Sequence, residues 1–337
     1  MKKISAVVVN WNGKDVLADC LESLMTQDAP NLEIIVSDNG SGDGSLEMLR
    51  DRFPRIRCVE NGANLGFGTA VNRGLAVAEG DYLLFLNNDL AFEPGAVRAL
   101  ADLLDSHPEA GAAVPKILYY EKRDTINSYG VRVHYTGVAY PNRLNERDDP
   151  NLDITETACG GIFMFRREVY ETLGGFDEDF FLYHEDHDLS WRIRLAGWKI
   201  LVTPRAVFYH HYHFNKGVRK FYHSEKNRLH LLLKNMEGKT LLLLLPGLIL
   251  VETAQWIHAA LNGWFFLKVK SYIELAEAFP SILKKRRKLK RLRKVRDRDL
   301  LTLHQGTLAV SGMRSLLVDT LLNPILDLWW RFIGPRI

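Results

Sequence analysis

Four short apolar runs, Ile4–Val9, Glu33–Ser37, Ile56–Glu60 and Tyr82–Leu86, dominate the N-terminal part of the chain. Each stops on a polar turn and is followed by a helical pattern, the alternation of a parallel α/β sheet. The first helix shows it best: Val16, Leu17, Cys20, Leu21, Leu24 and Met25 fall on one face at helical spacing. Asp43-Gly44-Ser45 opens a second helix, Phe67 a third, and Pro94-Gly95 a fourth, where proline is tolerated. In open sheets of this kind ligands sit beyond the carboxyl ends of the strands. Those ends carry Asn10-Trp11-Asn12, Asp38-Asn39-Gly40-Ser41, Asn61-Gly62-Ala63-Asn64 and Asn87-Asn88-Asp89. Any one of them reads equally well as a turn; four in register predict one crevice.

With 337 residues, 47% of them apolar, the chain can bury a large core, which excludes overall disorder. Cys20, Cys58 and Cys159 are odd in number and widely spaced, so they read as buried thiols in a reducing compartment. The apolar stretch after Met1-Lys2-Lys3 ends at Val9, which makes the N-terminus a strand and not a signal peptide, with the catalytic part in the cytoplasm.

Further on, residues 130–153 are irregular and predict a hairpin or a loop over the site, and Thr157 to Phe165 reads as a buried strand headed by Gly160-Gly161. Asp186 to Leu195 is helical, and Trp198 to Val202 is a final strand. After Lys239 the composition changes. Leu241 to Val251 is apolar but broken by Pro246 and too short to span a bilayer; extended to Leu267 it acquires a polar stripe of Glu252, Gln255, His258 and Asn262. That stripe argues for a helix with one wet or protein-facing side. Asp319, Asn323, Asp327 and Arg331 repeat the device beside Trp329 and Trp330, residues suited to a headgroup interface.

The net charge of +3 hides an uneven distribution: Lys284 to Arg298 holds eleven Lys/Arg and one acid, leaving the rest of the chain at −7. Such a block meets polyanions, either nucleic acid or an anionic membrane. Its apolar neighbours favour the membrane, so residues 236–337 read as a polybasic, amphipathic surface anchor and residues 1–235 as the catalytic domain. An ordinary helical subdomain with a solvated charged face is the plainer reading.

The chemistry-bearing residues are few. A strand ends on the lone carboxylate Asp89, and His184-Glu185-Asp186 and His210 follow downstream. They supply one metal ligand, one base and one further ligand, a set for metal-assisted group transfer.

In Val8-Val9-Asn10-Trp11-Asn12, Val36-Ser37-Asp38-Asn39-Gly40-Ser41-Gly42-Asp43-Gly44-Ser45, Asn64-Leu65-Gly66-Phe67-Gly68, Leu86-Asn87-Asn88-Asp89, Cys159-Gly160-Gly161, Gly174-Gly175-Phe176-Asp177 and Glu185-Asp186-His187-Asp188-Leu189, the chain resembles the family 2 inverting glycosyltransferases. The likeness covers residues 3 to 235 and is strongest to the bacterial rhamnosyltransferase-like branch that builds surface polysaccharides on lipid carriers. It implies the GT-A fold, Rossmann-like with a mostly parallel central sheet, here followed by C-terminal membrane-associated helices. It further implies that Asp38 accepts a hydrogen bond from a pyrimidine base while Val9, Asn10 and Trp11 flank it. Asn64 and Gly66 then let the chain pass close to the nucleotide, and Asn87 and Asn88 hydrogen-bond the nucleoside sugar. Asp89 ligates Mg²⁺ or Mn²⁺ on the donor diphosphate, with His210 nominated as second ligand and His211 as runner-up. With asparagines before it, Asp89 offers a single carboxylate, so metal affinity rests on phosphate oxygens and that distant ligand.

The resemblance makes Asp186 the base that deprotonates the acceptor hydroxyl, with Glu185 orienting the acceptor or holding Asp186. Gly160 and Gly161 let a ligand approach the backbone. Arg192 and Arg194 reach a phosphate or pair with acids of their own helix, whereas Asp188 reads as a cap or a partner of Arg192. The partners implied are a dTDP- or UDP-sugar, dTDP-rhamnose among them, a polyprenyl-diphosphate-linked saccharide and the anionic inner face of the plasma membrane, with no nucleic acid; a homo-oligomer stays open.

Competing readings differ in what they require. A sugar-nucleotide pyrophosphorylase needs a Gly-rich phosphate loop with a basic residue near the first strand, where this chain has Asn-Trp-Asn-Gly. A processive synthase adds complete membrane spans and a Gln-x-x-Arg-Trp motif. A nucleic-acid-binding protein would use the basic block and leave the strand-end residues idle.

Overall fold

The computed structural model describes residues 2–211, 218–309 and 318–337. The chain forms two compact units: residues 1–130, 141–193 and 198–214 make the first, and residues 131–140, 194–197 and 215–337 the second.

In the first unit β1 (Ile4–Asn10), α1 (Lys14–Met25), β2 (Leu32–Asp38), α2 (Ser45–Arg52), β3 (Arg57–Glu60), α3 (Phe67–Leu75) and β4 (Tyr82–Asn87) alternate as the periodicity predicts. β1 is buried at all seven positions, as a strand covered on both faces must be. It pairs in parallel with β2 and β4, and the register sets Asn10 opposite Asp38 and Val9 opposite Asn87. The strand ends therefore lie level on one edge of the sheet. On α1, Leu17, Cys20, Leu21 and Leu24 face the core, whereas Met25 is exposed and lies off that face. The cysteines are free thiols, Cys20 and Cys159 buried and Cys58 half-buried.

β5 (Leu90–Phe92), α4 (Ala96–Ser106), β6 (Ala110–Tyr119) and β7 (Ile126–Tyr129) follow, and later β10 (Thr155–Glu156), β11 (Met164–Arg166), α5 (Arg167–Leu173), α6 (Glu185–Leu195) and β12 (Lys199–His210). The sheet runs β10-β12-β6-β11-β4-β1-β2-β3, with β5 on β12 and β7 on β6. β11 is antiparallel to β4 with Met164 opposite Leu84, so the residues just before β11 reach the carboxyl end of β4. β12 carries His210 opposite Leu90, level with that same end. Beneath it Phe85 packs edge-on against Phe163 and Phe176, centroids 4.6 and 4.9 Å apart; each such pair contributes about 0.5–1.5 kcal/mol beyond buried area.

Two sequence expectations are corrected here. The run Thr157 to Phe165 is strand only from Met164; Ile162 and Phe163 are buried apolar residues in irregular chain. The final strand does not stop at Val202 but continues to His210 past a register shift between Thr203 and Val207.

In the second unit β8 (Val131–His134) and β9 (Ala139–Pro141) form a small sheet with β13 (His304–Gln305), giving order to part of the span expected to be irregular. The helices are α7 (Val218–Asn235), α8 (Gly238–Leu261), α9 (Phe265–Leu292), α10 (Asp297–Leu301) and α11 (Asn323–Ile333). α8 runs unbroken through Pro246 as one helix. Its polar stripe faces protein: Glu252 bonds Arg228, Lys268 and Tyr272, and Gln255 bonds Arg228 and Lys268. The opposite side is apolar and open, with Leu242 72% and Leu261 80% exposed.

Candidate active site

The carboxyl edge of the first unit is knitted together by side chains. Asn88 Nδ2 donates to Asn10 Oδ1 at 2.7 Å, and Asn10 Nδ2 donates to Asp38 Oδ2 at 2.9 Å and to Ser41 Oγ at 3.0 Å. Asp38 also accepts from the Gly40 and Ser41 amides on Oδ1, at 3.0 and 2.9 Å, and from the Ser41 hydroxyl on Oδ2 at 2.7 Å. Both oxygens are doubly bonded to protein and the residue is fully buried. Asp38, expected to accept a hydrogen bond from a pyrimidine base, orders the β2 turn in this structure. Trp11 is the group left open. It is 55% exposed between Asn10 and Asn12, both tied to Ser41. Val9 is buried beneath it, and Asn87 is half-buried.

Asn64 Oδ1 accepts from the Gly66 amide at 3.0 Å. Gly66 has φ +85, and a Cβ there would lie 2.3 Å from the Phe181 carbonyl oxygen. The glycine therefore permits a close crossing of the 181–186 segment. That segment carries Tyr183 and His184, both at φ 68, a conformation costly for residues with a Cβ. The bend delivers Glu185 and Asp186 to the first turn of α6.

These two carboxyls differ. Glu185 is buried and its Oε2 has no hydrogen-bond partner, while Asp186 is half-buried. Burial drives the pKa of both upward; the Asp186 charge adds to the rise at Glu185, and amide hydrogen bonds from His187 and from Asp186 itself oppose it at Asp186. The two carboxyls are neighbours in one buried environment, and each holds its proton to a higher pH than an exposed acid does. Gly161 borders the Asp186 carboxylate, with 4.0 Å between Oδ2 and the place a methyl group would occupy. Gly160 does not share this role: a Cβ there would strike Phe163 at 2.6 Å, so its missing side chain serves packing.

Asp89 Oδ2 lies 3.3 Å from His210 Nε2, and Asp89 Oδ1 is buried without a hydrogen-bond partner. On its other nitrogen His210 meets Asn127 Oδ1 at 3.2 Å, a neighbour with no signal in the sequence. The runner-up His211 is turned away, stacked 3.5 Å from Tyr120. Among the described residues no cluster of three His, Cys, Asp or Glu side chains exists, so Asp89 and His210 form a two-ligand set. An unpartnered buried carboxylate oxygen beside an imidazole fits a divalent cation that takes its remaining ligands from phosphate.

Arg192 is corrected as a phosphate ligand. It is buried, its Nε on Asp188 at 2.8 Å and its amino groups on the Leu173 and Gly175 carbonyls. Arg194 is likewise engaged, by the Leu300 and Asp299 carbonyls of its own unit.

Residues 5–174 match the profile described as "Glycosyl transferase family 2". The chain belongs to that family. Residues 146–214 also match "N-terminal domain of galactosyltransferase". The chain is 31% identical over 232 residues to the N-acetylglucosaminyl-diphospho-decaprenol L-rhamnosyltransferase of Mycobacterium tuberculosis, a match covering 62% of this chain and 76% of the relative. It is 26% identical to Rhamnosyltransferase WbbL of Escherichia coli (strain K12), covering 61% and 83%. Among solved structures it is similar to GalNAc-T7 with UDP, GalNAc and Mn²⁺ (TM-score 0.58, 18% identity, 69% of this chain and about half, 49%, of that one) and to S. aureus TarS with UDP (TM-score 0.52, 18% identity, 73% and 70%). These likenesses show the GT-A fold, and the family 2 glycosyltransferase is an enzyme that resembles rhamnosyltransferases.

Proposed function

We propose that this glycosyltransferase moves one sugar from a nucleoside-diphosphate sugar to a hydroxyl of a lipid-diphosphate-linked saccharide, with inversion at the anomeric carbon. The observation that carries this reading is Asp186. It is an accessible carboxylate beside Gly161, at the same edge as the strand-end asparagines and Asp89, with its pKa raised by burial toward the range where a base both exists and accepts protons at neutral pH. In the transfer the acceptor oxygen bonds to the anomeric carbon as its proton passes to Asp186, and the bond to the nucleoside diphosphate breaks on the opposite face. Glu185, buried at the preceding position, orients the acceptor or holds Asp186 in place.

Asp89 and His210 are the residues that would hold Mg²⁺ or Mn²⁺. When bound there, such an ion would supply positive charge against the diphosphate leaving group. Trp11 is an exposed aromatic available to cover the base of a UDP- or dTDP-donor, and Asn87, opposite Val9 on the next strand, is a half-buried polar residue at the same edge. The names of the rhamnosyltransferase relatives support a rhamnosyl donor, and the decaprenol relative a polyprenyl-diphosphate acceptor.

The second unit supports a membrane-surface role at the cytoplasmic face. α8 is long and apolar enough to cross a bilayer, but its buried partners on one side suit a helix lying partly in the interface. Along α8 and into α9 the open residues Leu242, Leu245, Ile249, Ile257, Leu261 and Phe266 carry no charge, and the basic block Lys284–Arg298 follows. Apolar surface of this extent next to a cationic segment matches an anionic bilayer.

The test is a donor screen with Mn²⁺, a polyprenyl-diphosphate acceptor and NMR of the product linkage. Transfer with inversion that Asp186→Asn abolishes is the expected result. A product of retained configuration, or full activity in that variant, rejects the reading.

A further inference from the structure

Asn127 has no place in the resemblance and no neighbouring motif, yet it is 6% exposed and turned toward His210. Its backbone explains how. β7 pairs with β6 in an antiparallel register that puts Ser128 opposite Ile117 and Ile126 opposite Leu118, leaving Asn127 as an extra residue between them. The bulge breaks the in-out alternation, so that Ile126 and Asn127 are both buried. Bulges of this kind re-aim a side chain, and they concentrate beside active sites.

We infer that Asn127 is a positioning residue for the cation site: its amide oxygen takes the proton of His210 Nδ1 and thereby turns the unprotonated Nε2 toward Asp89. A neutral imidazole carries one N–H. If that N–H is on Nδ1 and donated to Asn127 Oδ1, at 3.2 Å, then the atom 3.3 Å from Asp89 Oδ2 is a lone pair facing a carboxylate. Two acceptors that close repel unless a cation lies between them. The opposite orientation of the amide would donate from Nδ2 to Nδ1, move the ring proton to Nε2 and close His210 onto Asp89 with its own hydrogen bond. Asn127 thus decides between a pair open to metal and a pair sealed against it. Metal-bound histidines owe their tautomer to such partners.

The inference rests on the metal reading of Asp89 and His210, and the experiment separates the two. Mn²⁺ binding to the full chain is followed by electron paramagnetic resonance for wild type, Asp89→Asn, Asn127→Asp and Asn127→Leu. Aspartate, which only accepts, should keep Mn²⁺ affinity at the wild-type level or tighter. Leucine, which does neither, should lose about 10- to 100-fold. Independently, ¹⁵N spectra of histidine-labelled, metal-free wild type, with His210 assigned by its absence in His210→Gln, should show protonated Nδ1 and bare Nε2. Leucine binding as well as wild type, aspartate as weak as leucine, or a protonated Nε2 in neutral His210 each overturn the inference while Mn²⁺ still binds wild type and not Asp89→Asn. Absence of Mn²⁺ binding to wild type overturns the metal reading and this inference with it.

Discussion

Gly161 and Asp186 stand face to face, 4.0 Å separating the carboxylate Oδ2 from the point where a side chain at residue 161 would begin. That spacing leaves room for an ordinary contact and no more. Gly161→Val should therefore fold normally and lose kcat/KM for the acceptor by one to two orders of magnitude, on the order of 1.4–2.8 kcal/mol in the barrier. Gly160→Ala should do the reverse: its methyl meets Phe163 and Val114, so overpacking costs about 1–3 kcal/mol of stability while the surviving folded enzyme keeps its kcat. Steady-state kinetics and thermal unfolding of the two variants check the contrast.

Burial raises the pKa of Asp186, so kcat/KM should climb with pH through a limb lying above the ordinary aspartate range. Asp186→Asn should flatten that limb and lower the rate about 10²- to 10⁴-fold with donor binding retained. A rate independent of pH from the acid side to neutrality would assign the base elsewhere.

Glu185 has a consequence for stability. Its folded pKa lies above the unfolded value, so the native state holds an extra proton between the two. The favourable contribution is complete below the unfolded pKa and disappears as pH rises through the folded one. Glu185→Gln removes this loss, and the difference in Tm between variant and wild type should grow with increasing pH. A difference that shrinks or stays flat contradicts the assignment.

Arg192 is a structural cation by its contacts. Arg192→Met should take the guanidinium partner away from the fully buried Asp188 and cost about 3–5 kcal/mol, with the donor KM unchanged below the new melting temperature. A raised donor KM in a stably folded variant would return Arg192 to the phosphate.

For the second unit, reversing Lys284, Arg287, Lys288 and Arg291 to Glu should weaken binding to anionic vesicles, by roughly 1 kcal/mol for each cation removed near the surface. Sedimentation with liposomes of defined phosphatidylglycerol content at low and physiological salt measures it. Equal binding by the variant would leave the apolar face of α8 as the whole anchor.

The parallel half of the sheet was legible because a strand covered on both faces must be apolar without alternation and must end where polar atoms find water; β1 and β4 show this, and Asn10 and Asn87 mark their ends. Position β12 was legible only in part, since Pro204 stands where the register shifts and a proline argues against strand, hiding the four residues that carry His210 into place. Ile162 and Phe163 illustrate the converse, because burial alone cannot distinguish strand from irregular chain. At the candidate site, residue type singled out Asp89, Glu185 and Asp186 as the carboxylates to follow. The four bonds that Asp38 accepts from protein could not be read that way, since an aspartate at a strand end is equally a ligand or the organiser of its own turn. Asn127 left no trace, as a bulge is a property of two strands' pairing and not of either sequence.

The chain of amides from Asn88 through Asn10 to Asp38 and Ser41 joins three strands at their tips. Slippage of any one strand by a single residue would unfasten all of it, so this edge is an all-or-nothing property of the assembled sheet. On the proposed function, variation in which nucleotide is accepted has little freedom inside that lattice, and engineering of donor choice would begin at Trp11 and Asn87, whose side chains stand outside it.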